Sequence, residues 1–206
     1  MTEDPFKELR EQPYDLFIAP APYSFDLNQD MVDMIREEFN ADAVVAQLTE
    51  AIGDKSGDDA KAAAEAFFAA SGDKWMRKTI QLGEEYSDRT YEVVLETVDR
   101  NGEQFLIFPH IPQRFIEIGY LSTQEFMKVP FVLNNMNDLC YRIPQCALFN
   151  KVKDKCGEDL ANEMTCSKHC MAGLDAIKSH TDLDMLIEQQ ASTAADGYCR
   201  FLLKKL

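Results

Sequence analysis

"LDMLIEQQASTAADGYCRFLLKKL", residues 183–206, holds two runs rich in β-branched, aromatic and long apolar side chains on either side of "AADG". Asp196 and Gly197 supply turn chemistry, so 183–193 and 198–206 read as two strands that fold back on each other. Much of the preceding chain carries helical rather than strand periodicity. An antiparallel pair closing such a chain sets the class as α+β.

Upstream, Met31, Met34, Ile35 and Phe39 recur at helical spacing, and Val44, Val45, Leu48 and Ile52 mark a second helix. "GDKSGDD" (53–59) breaks the pattern. Ser56 and Asp58 can cap an alanine-rich helix over 58–71, ended by Gly72, and 73–86 reads as another. Residues 1–86 are thus expected to form a helical layer, and 87–206 an α+β lobe that carries ligand-binding or hydrolase-like chemistry. In that lobe, β-branched residues flanking "DRNG" (99–102) predict strands near 90–98 and 104–109. Helical periodicity is expected again from Ser122 to about Leu139. Pro144 opens a helix over 144–156, Gly157 interrupts it, and 158–177 continue as helix.

The chain has 206 residues, 46% of them hydrophobic, enough for a sizeable core without disulfides. Its formal net charge of −15 repels phosphate backbones, so nucleic acid is not expected as a partner. The first residues, "MTEDPFKELREQPYDLFIAPAP", lack the basic start and long apolar run of a signal peptide, and no run approaches a membrane span. The expectation is a soluble, cytoplasmic protein with reduced thiols and no membrane contact. A homo-oligomer is left open.

Six cysteines and three histidines are present, and "TCSKHC" (165–170) concentrates three of these nine residues. On a helix, Cys166, His169 and Cys170 share one face, bordering an apolar stripe of Leu160, Met164, Met171 and Leu174. Three readings stay open. As soft ligands they would need Cys140, Cys146, Cys156 or Cys199 to complete a metal site, but no C-x₂-C knuckle is present. As a catalytic set, Cys146 or Cys166 is the nucleophile, His169 the base and Asn150 an orienting amide. As packing, the cysteines are small buried hydrophobes. His110 in "PHIP" and His180 after a helix are read as structural. No metal or cofactor is assigned.

The ordered anchors Cys146, Gly157, Cys166, Thr193, Gly197, Cys199 and Phe201 resemble the C-terminal half of the L-2-amino-thiazoline-4-carboxylic acid hydrolase family, over about residues 140–203. The terminal G…C-x-F also resembles 4-vinyl-reductase-type ligand-binding domains. These resemblances imply an N-terminal helical layer on a small antiparallel sheet with C-terminal helices, enclosing a small-molecule pocket. They imply hydrolytic opening of a thiazoline-type ring or other C=N bond, with Cys146, Cys166 and His169 catalytic and Asn150, Gln190, Thr193 and Cys199 around the substrate. The alternative is a non-catalytic protein that binds a small molecule, a tetrapyrrole or a metal through Cys and His groups. Three positions depart from the family pattern. Asn150 stands for a glutamate, His169 for an aspartate, and Gln190 for an arginine that would pair with a substrate carboxylate. Gln190 is expected to share a cavity with Cys146 and His169.

Overall fold

A computed structural model describes residues 4–7, 25–102, 108–126 and 128–206; the side chains of 101 and 164–166 lie outside that description. It is α+β. Helices α1 (Gln29–Phe39), α2 (Ala41–Ile52), α3 (Gly57–Glu85), α4 (Arg89–Asn101) and α5 (His110–Thr123) come first. Strands β1 (Phe131–Asn134) and β2 (Asp138–Ile143) follow, then α6 (Ala147–Cys156) and α7 (Glu158–Met164). A π-helical segment (Thr165–Cys170) leads into α8 (Met171–Thr181). Strand β3 (Met185–Ala191), the short α9 (Thr193–Asp196) and β4 (Cys199–Lys205) end the chain.

The sheet has the order β1-β2-β4-β3 and every pairing is antiparallel. The C-terminal hairpin is present as expected, with Gly197 in the left-handed conformation at its turn. One face of the sheet, through Leu139, Tyr141, Phe201 and Leu203, joins a core shared with α1, α2, α3, α5, α6 and α8. On the other face Phe6 packs with Cys140 and Leu202.

Three local expectations are overturned. Residues 89–101 are a helix rather than a strand, because Asp88 caps its N-terminus by accepting from the Tyr91 N–H (3.0 Å) and Gly102 closes it with φ 64°. "DRNG" is therefore a helix end, and the second proposed strand falls partly on residues outside the description. The helix expected over 122–139 ends at Thr123; Phe131–Asn134 and Asp138–Ile143 are strands instead, turned at Asn135, whose side chain accepts from the N–H groups of Asn137 and Asp138.

Gly72 does not end a helix. Helix α3 runs through it for 29 residues, and a side chain there would overlap the backbone carbonyl of His169. The missing Cβ lets α3 cross the π-helical segment in backbone contact. Trp75, one turn on, fits between Gly119 of α5 and Gly173 of α8, where an added Cβ would lie 2.8 Å and 3.2 Å from its ring.

Helix α5 is central and buried even at its polar positions. Arg114 is fully buried, with Nε on Asp88 (2.9 Å), Nη1 on the Gly83 carbonyl (2.7 Å), Nη2 on the Tyr86 carbonyl (3.1 Å), and its guanidinium over the Tyr91 ring (4.4 Å). These contacts tie the end of α3 and the start of α4 to the core. Glu117 accepts from the Phe25 N–H and the Gln113 amide, both at 3.0 Å, and burial raises its pKa against those bonds.

Candidate functional site

Cys146 sits at the N-terminal cap of α6 and its Sγ accepts the Phe149 N–H at 3.3 Å. Pro144 and the exposed Gln145 end the strand geometry of β2, and Leu148, Phe149 and Val152 bury one face of the helix, so the thiol is turned inward. A helix N-terminus favours thiolate over thiol. His169 lies on the π-helical segment, and its ring stacks on the Trp75 indole with centroids 5.1 Å apart. Both residues are buried, at 5% and 6% exposure. They line one narrow cavity of about 20 Å³ together with Cys170, Tyr120 and Trp75.

An aromatic and hydroxyl chain leads away from this cavity toward the sheet. Tyr120 packs edge-on to Trp75, is hydrogen-bonded to Cys170, and meets the Tyr141 hydroxyl at 3.3 Å. Tyr141 stacks on Phe201. Burial, ahead of the neighbouring thiols, pushes both phenols well above their ordinary pKa, for Tyr141 against the lowering effect of its hydrogen bond with Tyr120, so they remain protonated donors. Cys199 lies buried beyond them, its Sγ 3.1 Å from Thr193 Oγ1. Cys140 is on the opposite sheet face, and burial pushes its thiol up to about 12.

Asn150 and Gln190 lie elsewhere. Asn150 is exposed on α6 and lines a separate surface pocket with Gln124, Glu125 and Phe126. Cys166 falls on the π-helical segment, and its side chain is among those outside the description. In a π-helix the turn is wider than 3.6 residues, so the i, i+3, i+4 face drawn from an α-helix does not carry over. His180 pairs with Glu84 at 2.8 Å, and His110 opens α5 with its pKa lowered by burial. Among the described residues, no group of three or more His, Cys, Asp or Glu side chains is placed to hold a metal ion. No helix there is long and apolar enough to cross a membrane.

Gln190 belongs to a second cavity, not to the one shared by Cys146 and His169. The β3–β4 register steps from Gln189 opposite Phe201 to Ala191 opposite Arg200, which leaves Gln190 as the extra residue of a bulge. Strict alternation fails there, and Gln189, Gln190, Ala191 and Ser192 all line a pocket of about 270 Å³. Asn162, Ser167 and Asp196 face it from the other walls. Both amide atoms of Gln190 are buried and have no hydrogen-bond partner among the described residues. The two cavities meet the opening turn of α6 on different sides: Cys146 and Leu148 line the thiol cavity, Phe149 the polar one.

Trp75, Tyr120 and Tyr141 are absent from the sequence-derived site. The only tryptophan of the chain was a signal that could have pointed to it, because a single large indole beside a helical glycine marks a close packing point. The chain matches no family model, no curated protein and no solved structure.

Proposed function

We propose that the protein binds a small, uncharged, polar molecule of the amide or cyclic-urea type in the pocket beside the β3 bulge. Gln190 carries this reading. It lines a pocket of about 270 Å³, and its buried carbonyl and NH₂ have no hydrogen-bond partner among the described residues; once the side chain turns toward the pocket, a ligand that presents an adjacent carbonyl and N–H answers both groups. No lysine or arginine is among the lining residues, and the Asp196 carboxylate accepts from the Ser192 N–H at 2.9 Å, so a carboxylated ligand meets no countercharge. Leaving a buried amide unpaired costs roughly 1–3 kcal/mol, which a matched ligand returns as affinity.

Calorimetric titration with 2-imidazolidinone and with 2-amino-thiazoline-4-carboxylate tests this. The neutral urea should bind the wild type and the carboxylate should not. Gln190→Arg should reverse the order, since a charge-assisted pair contributes on the order of 1.5–3 kcal/mol. Equal binding of both probes to the wild type, or urea binding that survives Gln190→Leu, rules the site out.

A second reading has one observation in its favour: Cys146 at a helix N-terminus shares a cavity with His169. Here the protein is hydrolase-like. The Cys146 thiolate attacks the carbon between ring sulfur and nitrogen of a thiazoline, or another C=N carbon, and His169 moves the proton to the departing atom. At about 20 Å³ the cavity must widen to admit a ring. Turnover of the carboxylated thiazoline that vanishes in Cys146→Ser supports this reading, and no turnover by the wild type with neutral or charged thiazolines removes it.

A further inference from the structure

From the cavity shared by Cys146 and Cys170, we infer that the protein carries a hydroperoxide-reactive dithiol centre, independent of the Gln190 pocket. Four observations converge on it. Both thiols line the same narrow cavity and neither is in a disulfide. Cys146 has its Sγ on the Phe149 N–H at a helix N-terminus, so a backbone donor and the positive end of the helix both face the sulfur. His169 lines the cavity as a base of suitable type. Trp75 lines it too, and its buried Nε1–H has no hydrogen-bond partner among the described residues, which leaves a donor for an oxygen atom.

Size selects the reactant. A water needs roughly 10–15 Å³, so a cavity of about 20 Å³ takes a molecule of one or two heavy atoms and excludes a ring. Hydrogen peroxide has that size, accepts from an N–H, and oxidises thiolates preferentially. In the first step the Cys146 sulfur attacks one peroxide oxygen, the O–O bond breaks, and the thiol proton, held by His169, goes to the departing hydroxide. The products are Cys146 sulfenic acid and one water. In the second step the Cys170 sulfur displaces the sulfenic hydroxyl, forming the Cys146–Cys170 disulfide and a second water, with the Cys170 proton leaving on that hydroxyl. Two thiols lose two electrons in total, and one peroxide gains them. Tyr120, hydrogen-bonded to Cys170 and held protonated by burial, fixes that sulfur at the cavity wall.

The experiment uses the reduced full-length chain, one equivalent of hydrogen peroxide at neutral pH, and peptide mapping by mass spectrometry. A Cys146–Cys170 disulfide should appear, with Cys140 and Cys199 still alkylated as thiols after denaturation. In Cys170→Ser, dimedone should trap the sulfenic acid on Cys146. Tert-butyl hydroperoxide should react about tenfold more slowly or less, because it does not fit a cavity of about 20 Å³. First oxidation at half-buried Cys156, a disulfide between any other pair including Cys170 and Cys199, or reaction no faster than in the urea-unfolded chain overturns the inference. Wild-type mapping decides the matter even if the variant fails to fold. The readout requires no heterocycle, so it stands or falls apart from both ligand readings.

Discussion

Gln190→Met should make the ligand-free protein more stable and abolish binding in the polar pocket. The substitution keeps an unbranched side chain of similar length and removes two buried polar atoms that have no hydrogen-bond partner among the described residues. A buried polar group lacking its hydrogen bond costs about 1–3 kcal/mol by mutational measures, and the methionine adds apolar contact with Phe149 and Ala161 across the pocket. Some of this gain is lost because the bulge conformation stays as it is, so the net expected stabilisation is about 2 kcal/mol. For a chain of this size that corresponds to a rise in Tm of about 4–8 °C. Urea titration followed by tryptophan fluorescence reads it directly, since Trp75 is buried in the core. A variant no more stable than the wild type, with an unchanged dependence on urea, would refute the reasoning, because the amide would then be satisfied in the native state.

Gly72→Ala, which helix propensity alone would favour by about 1 kcal/mol, should instead destabilise by about 2–3 kcal/mol, because the new Cβ meets the His169 carbonyl rather than a movable side chain; thermal melts give the sign. Arg114→Lys keeps the charge but loses the fork that reaches Asp88, Gly83 and Tyr86, and should cost about 3–5 kcal/mol in urea titration; a loss under 1 kcal/mol would contradict the clamp. Glu117 has its pKa raised by burial, so the folded chain holds a proton that the unfolded chain releases at about 4.3. Stability should therefore fall as pH rises from that value through the raised one, and Glu117→Gln should flatten this part of the curve; parallel curves for the two proteins would exclude it. Cys140, pushed up to about 12 by burial, should resist iodoacetamide at pH 8 in the folded protein while half-buried Cys156 reacts, as peptide mapping will report.

Where local chemistry was enough, the sequence alone was decisive. The two strand-like runs within 183–193 and 198–206, realised as Met185–Ala191 and Cys199–Lys205, and the turn at Gly197 needed no distant partner to be read, and neither did α1, whose Asn28 cap accepts from Asp30 and Met31, nor the glycine break at 157. The helix after β2 was legible too, although it begins at Ala147 behind a Cys146 cap and not at Pro144. Two stretches misled because propensity is a weak prior. "TYEVVLETV" has β-branched side chains, yet caps at both ends and the packing of Tyr91 on Arg114 make it helical. Residues 131–139 carry apolar spacing compatible with a helix, and fall in strands because β4 offers β2 a paired edge and β2 in turn pairs with β1. The site depended still more on tertiary structure. Which cavity a side chain lines follows from helix crossings and strand register, quantities set by residues far apart in sequence. Gly72 brings α3 against His169, and the step from Phe201 to Arg200 on β4 inserts Gln190 as a bulge; together they send Cys146 and Gln190, which a shared motif would unite, to different cavities.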